Sequence, residues 1–304
     1  MARSGALAAI GNTPVVRRSR PNGAEIWVKL EAANPTGSYK DRMALAMIEG
    51  AERDGRLQPG QTVVEYTGGS TGSSLAFVCA VKGYPLRIVS SDAFATEKIR
   101  TMQAFGAEVE LLHSADGITP ELIPSMQRRA RQIADETGAY ATDQFNNTDM
   151  VEGYRRLGEE LLDQIPDRID AFCSYVGTAG CFLGVSRALI ERLPDLHRVV
   201  VEPAESAVLS GHAAGTHHIE GGGVGYMPPQ LSADDYDQVI DVPEAEAFEM
   251  ARRAARTDGV FSGPSTGANL VAADQVAASL GAGHQVVTLQ VDSGLKYLSG
   301  HLYG

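Results

Sequence analysis

Cysteine occurs only three times in this chain of 304 residues, as Cys79, Cys173 and Cys181. The number is odd and no C-x-x-C spacing occurs. This argues against a disulfide framework or a zinc site, leaves no metal site expected, and fits a reducing, cytoplasmic setting. Positive charge is also short: 26 Lys and Arg stand against 38 Asp and Glu, a net charge of -12. A phosphate backbone is repelled by that balance, so nucleic acid is not an expected partner. No basic run or basic amphipathic helix points to a membrane surface. No apolar stretch reaches the roughly 20 residues that a span needs. Residues 1–10 contain Arg3 and a few small apolar residues, too short an apolar run for a signal peptide. Internal repeats, low-complexity tracts and Pro/Ser-rich linkers are missing too.

What is present is an ordinary globular composition, 43% hydrophobic, with enough chain for a sizeable core or for two lobes. Strand-like and helix-like segments alternate. Residues 25–31 (EIWVKLE), 62–66 (TVVEY), 86–91, 108–112, 171–176, 198–202 and 285–291 read as strands. Residues 38–54 read as a helix with Met43, Met47 and Ala51 on one face beside Ala44 and Ile48, and 121–137 and 244–257 are further helical patterns. The alternation predicts an α/β architecture with mainly parallel sheets. Spacing alone leaves a barrel, one long sheet and two smaller sheets open.

Four glycine-rich turns punctuate this pattern: TGGSTG (67–72), GTAG (177–180), GGGVG (221–225) and GPSTG (263–267). Such turns lie at the carboxyl ends of parallel strands, where ligands bind. GTAG lies between a strand and a helix that begins near Cys181. Its small residues allow successive backbone N–H groups to converge on an anion, helped by the helix dipole. The turn therefore reads as a phosphate cradle without a Walker lysine, or equally as a plain tight turn. Lys40 lies in NPTGSYKDR (34–42), where Ser38 is the expected N-cap and Lys40 falls in the first helical turn. The positive helix end and burial both lower a lysine's pKa there, and Schiff-base chemistry needs the neutral amine. The alternative is a solvated surface lysine. The segments 68–72 and 263–267 also match G-x-S-x-G, the nucleophile elbow of serine hydrolases. Only one convincing strand precedes Ser70, and no oxyanion loop does, so that reading is the minor one. GGGVG does not complete the dinucleotide pattern G-x-G-x-x-G.

Taken together, these segments resemble the cysteine synthase / cystathionine β-synthase family of fold-type II pyridoxal-5′-phosphate (PLP) enzymes. The likeness runs nearly end to end: IGNTPVV (10–16), NPTGSYKDR, VEYTGGSTG (64–72), DQFNN (143–147), VGTAGCFLG (176–184), VEPAES (201–206), the GGGVG turn, GPSTGA (263–268) and DSGLKYLS (292–299) follow in the family's order. The resemblance implies two α/β lobes of the tryptophan synthase β type, with mainly parallel twisted sheets and the cofactor between them. Residues 1–35 and 146–304 form the large lobe. Residues 36–145 form a small mobile lobe that closes over the amino acid. A homodimer acting on small molecules is implied as well.

The resemblance also implies roles. Lys40 carries the cofactor covalently and, once freed, removes the α-proton. Gly177, Thr178, Ala179, Gly180 and Cys181 bind its phosphate, and Ser265 faces the pyridine nitrogen. A neutral hydroxyl there makes the ring a weaker electron sink than a carboxylate would. Ser70 faces the cofactor, while Thr67, Gly68, Gly69, Thr71 and Gln144 bind the substrate carboxylate and Gly222 borders the substrate. The implied reaction is β-replacement on an O-activated serine, with sulfide or another nucleophile adding after the leaving group departs, as in cysteine biosynthesis. β-Elimination, and a binding protein that merely keeps the fold, are the other readings. Three positions depart from the family. Ser70 replaces the usual asparagine, Gly68 the usual serine, and Cys181 a threonine. The space left by Gly68 is expected either to admit a nucleophile bulkier than sulfide or to be filled by neighbours.

Overall fold

The structure, a computed structural model, describes residues 5–18 and 23–304; Arg3 of the N-terminal segment lies outside them. After a 3-10 turn (Ala6–Ala9) come β1 (Val15–Arg18), β2 (Glu25–Leu30) and α1 (Lys40–Arg53). Next are β3 (Val63–Tyr66), α2 (Ser70–Lys82), β4 (Leu86–Ser91), α3 (Thr96–Ala104), β5 (Glu108–Leu112), α4 (Leu122–Thr137) and the short β6 (Tyr140–Ala141). The rest comprises α5 (Asp149–Gln164), β7 (Ala171–Tyr175), α6 (Gly180–Ile190), β8 (His197–Pro203), β9 (Gln238–Val242), α7 (Glu244–Thr257), α8 (Pro264–Leu280) and β10 (Gln285–Gln290).

The strands form two sheets, which settles what spacing left open. One has six strands in the order β1-β2-β10-β7-β8-β9, the other four in the order β5-β4-β3-β6. Every pairing is parallel except β1 with β2. Parallel sheets are covered on both faces, so their central strands read as continuous rather than alternating apolar runs. β3 and β7 are buried at every position, as that rule requires. α8 is buried from Pro264 to Ala273 and again at Val276 and Ala277, which explains its lack of a polar stripe.

α1 is the seam element: it packs on α2 of the four-stranded unit and on α5 of the six-stranded one. Its Met43, Met47, Ala51, Ala44 and Ile48 are all fully buried. Each large one contributes about 1.5–3 kcal/mol of apolar burial. The carboxyl ends of β2, β10 and β7 lie side by side, with Leu30 paired to Gln290 and Val287 to Phe172. The segments leaving those ends deliver Lys40, Asp292 and Gly177 to one place, and β3 delivers Thr67 from the other sheet.

Candidate active site

Lys40 is the first residue of α1 and is buried. The helix starts two residues later than the sequence pattern suggests, so its N-cap is Tyr39 rather than Ser38, although Ser38 Oγ still accepts the Lys40 N–H at 3.2 Å. Tyr39 N–H donates to Val291 O (3.0 Å) and Ser293 N–H to Gly37 O (2.9 Å), which staples the Lys40 segment to the end of β10. Lys40 Nζ sits 4.9 Å above the Tyr39 ring. Burial is the largest influence on the amine and lowers its pKa to about 8, with Lys98 adding to the shift and Asp292 and Glu65 opposing it. The lysine is thus not a solvated surface residue.

One cavity gathers Lys40 with Thr67, Gly68, Gly69, Ser70, Thr71, Gln144, Gly177, Thr178, Gly222 and Ser265. A smaller adjoining hollow joins Lys40 to Gly177, Thr178, Ala179 and Cys181. Gly180 opens α6, one residue earlier than expected. Gly177 is required by close approach: a Cβ there would lie 2.4 Å from Gly221 O. Ala179 takes φ +67°, a left-handed turn that points the chain into α6. Burial pushes the Cys181 thiol well up, so it stays protonated.

The 67–71 loop is held by its own hydroxyls. Thr67 Oγ1 accepts Gly69 N–H (3.1 Å), and Thr71 Oγ1 donates to Gln144 Oε1 (2.9 Å). Gln144 Nε2 donates to Tyr66 O (2.8 Å). Beneath them lies buried Glu65, which accepts Gln144 N–H at 3.0 Å and the Thr142 hydroxyl at 2.6 Å. Burial raises its carboxyl to about 8 against those hydrogen bonds.

Two open alternatives are decided. The room expected at Gly68 is taken: a Cβ there would meet Phe94 Cε1 at 2.8 Å and Cζ at 3.0 Å. Phe94 fills the gap, which is the second of the two outcomes expected there. Gly68→Ser is therefore expected to overpack the loop and cost about 1–3 kcal/mol. Chemical denaturation of Gly68→Ser and of Gly68→Ser with Phe94→Ala would check this, the second change relieving the first. The hydrolase reading also fails. No histidine lines the cavity. Ser70 Oγ donates to Asp292 Oδ2 (3.2 Å), and Ser265 Oγ has no partner among the described residues, so neither serine has the histidine of a hydrolase triad.

Sequence reasoning missed Lys98, Glu220, Asp292, Tyr297 and Phe94, all of which line the cavity. DSGLKYLS marked the place of Asp292 and Tyr297 without giving them a role. Lys98 lies on a helix with no motif, and nothing local singles it out.

The model of the family described as pyridoxal-phosphate dependent enzyme matches residues 6–292. The chain belongs to that family. The enzyme is 41% identical over 299 residues to a cysteine synthase of Staphylococcus aureus, covering 97% of this chain and 95% of that one. It superposes on the crystal structure of a cysteine synthase from Entamoeba histolytica with a TM-score of 0.92, at 32% identity, covering 99% of this chain and 90% of that one. An O-acetylserine dependent cystathionine β-synthase from Helicobacter pylori gives a TM-score of 0.92 at 32% identity, with 100% of both chains covered. The fold is that of the fold-type II PLP enzymes. The residues present fit the cofactor. Ser265 offers a buried hydroxyl without a partner among the described residues, Gly177 and Gly222 let their two turns pack backbone against backbone, and both turns line the same space as the Lys40 amine.

Ser265→Ala is expected to leave the apoenzyme as stable as wild type, because the lost hydroxyl has no partner there. It is expected to weaken PLP about tenfold, the worth of one hydrogen bond. Fluorescence titration of apoenzyme with PLP measures this, and unchanged affinity would count against the assignment of Ser265.

Proposed function

We propose that the enzyme performs β-replacement on O-acetylserine, with sulfide or a small thiol as second substrate and acetate as leaving group. The observation that carries this reading is the convergence of Lys40, the 67–71 loop with Gln144, and the unpartnered Ser265 hydroxyl in one cavity. It agrees with the printed names of the cysteine synthase relatives. The enzyme acts as a homodimer in the cytoplasm. Residues 36–145 form the lobe that closes, and 1–35 with 146–304 form the large lobe.

Lys40 would hold the cofactor, residues 177–181 its phosphate, and Ser265 its ring nitrogen. Bound PLP supplies the electron sink that labilises the bonds at the amino acid's α-carbon. The N–H groups at the start of α2 and the Gln144 amide bind the substrate carboxylate, where the helix dipole favours an anion. That fixes the α-proton toward Lys40 Nζ, whose amine, lowered to about 8, takes it as a general base near neutral pH. A neutral hydroxyl at Ser265, in place of a carboxylate, would leave the bound cofactor a weaker electron sink.

The leaving group selects the substrate. The cations lining the cavity are Lys40 and Lys98, and Lys98 is already committed to Glu220. Arg87, on β4, pairs with Glu108 instead. Arg100, the other arginine of the same lobe that could serve, is not among the residues lining the cavity, so no arginine there receives a phosphate dianion. O-Acetylserine is expected to react faster than O-phosphoserine, and mass spectrometry with sulfide is expected to show cysteine. Pyruvate and ammonia as the main products, or phosphoserine as the better substrate, would overturn the reading.

A further inference from the structure

We propose that Lys98 is a positioning residue that couples capture of the substrate carboxylate to closure of the site. The inference rests on the carboxylate-binding role proposed above for the 67–71 loop.

Lys98, in the first turns of α3, is 2% exposed. Lysine is almost never buried so fully unless paired. Its Nζ donates to Glu220 Oε2 and to Tyr297 Oη, both at 2.8 Å, and lies 4.4 Å from the Tyr297 ring centroid. α3 packs with α2 and β5 of the four-stranded unit. Glu220 and Tyr297 belong to the other unit, one just before the 221–225 turn and one beyond β10. The stem of the same side chain rests on the carboxylate loop: a Cβ on Gly69 would lie 2.4 Å from Lys98 Cδ. One side chain therefore touches the substrate loop at its middle and the opposite sheet's segments at its tip.

The contacts continue into the cofactor cradle. Glu220 adjoins Gly221, whose carbonyl packs against Gly177. Tyr297 Oη donates to Asp292 Oδ2 at 2.9 Å, and the same oxygen accepts from Ser70. The preceding residue doubles the tie, since Glu97 Oε1 accepts Ser299 N–H (3.0 Å) and the Ser299 hydroxyl (2.6 Å). A shift of the 67–71 loop moves the Lys98 stem and strains its bonds to Glu220 and Tyr297. A loop settled on a carboxylate favours them. Binding and closure then share one equilibrium, and weakening the tie lowers the competent fraction and the apparent affinity together.

The test uses holoenzyme and L-alanine, an amino acid with no β-leaving group, titrated by absorbance. Lys98→Met keeps the stem and removes the charge. It is expected to weaken L-alanine about tenfold and to raise KM for O-acetylserine similarly, with kcat within about threefold of wild type. PLP affinity of the apoenzyme is expected to stay unchanged, and Lys98→Arg to restore most of the loss. Glu220→Gln, at a partly exposed position, is expected to act in the same direction, and the double variant to be no worse than Lys98→Met. Normal L-alanine binding by Lys98→Met, additive effects in the double variant, or an equal loss of PLP affinity would each overturn the proposal. If wild type fails to turn over O-acetylserine, the proposed reaction falls, while the L-alanine titration still judges Lys98.

Discussion

Replacing Lys40 by alanine is expected to lower kcat by roughly a thousandfold or more while leaving the fold intact. In the proposed mechanism this side chain both holds the cofactor and supplies the base, so one substitution would remove both. The structural cost is small, because burial already destabilises the ammonium form of Lys40. The melting temperature of the apoenzyme is therefore expected to stay the same or rise. Borohydride reduction of wild-type holoenzyme followed by peptide mapping checks the assignment directly, with the pyridoxyl label expected on Lys40. Three of its four competitors are engaged elsewhere, Lys29 with Glu160, Lys82 with Glu52 and Lys98 with Glu220, and the fourth, Lys296, is not among the residues lining the cavity. A label on any of these would refute the role given to Lys40. So would a Lys40→Ala variant that keeps wild-type kcat.

Much of this was legible in the chain because motifs and periodicity are local. β4 and β5 have the bounds that β-branched patterning gives, and α7 ends where its pattern does. β1, β6 and β9 were not legible. β6 is two residues long, and β1 carries two arginines that blur any apolar run. β9 is five residues long and follows a long irregular loop. The glycine turns pointed to the cavity because close backbone approach leaves a compositional mark, as at Gly177. Lys98, Glu220 and Phe94 left none. Their importance comes from contacts between units: Lys98 and Glu220 are 122 positions apart. Phe94 fills the space above Gly68 from a different loop. A sequence read in windows records the missing serine side chain at Gly68 but not the ring that replaces it.

The second large effect concerns Arg42, two residues beyond Lys40 in the same motif. Its guanidinium is buried, with Nε and Nη2 donating to the two Glu31 oxygens (2.7 and 2.9 Å) and Nη1 and Nη2 to those of Glu160 (2.7 and 2.8 Å). Glu31 is fully buried and also holds Thr13 and Asn34, while Glu160 takes Asn12 N–H and pairs with Lys29. The network ties α1 to α5 and to the end of β2, and so fixes the direction from which Lys40 enters the cavity. Arg42→Met fills similar volume but takes from buried Glu31 its cation partner and leaves Glu160 with Lys29 alone. It is expected to cost about 3–5 kcal/mol, the usual penalty for breaking a buried pair from one side. The pH dependence follows from Glu160. Burial opposes its charge, but the bonds from Arg42 and Lys29 outweigh that and hold its carboxyl down to about 2. A carboxyl depressed on folding stabilises the protein above its unfolded pKa, near 4.5, and loses that contribution as pH falls toward 2. The gap in melting temperature between wild type and Arg42→Met is thus expected to be constant near neutrality and to narrow below about pH 4.5. Thermal melts across that range measure it. A gap that stays constant down to pH 3 would mean that packing of the Arg42 stem, rather than its charge, holds α1 in place.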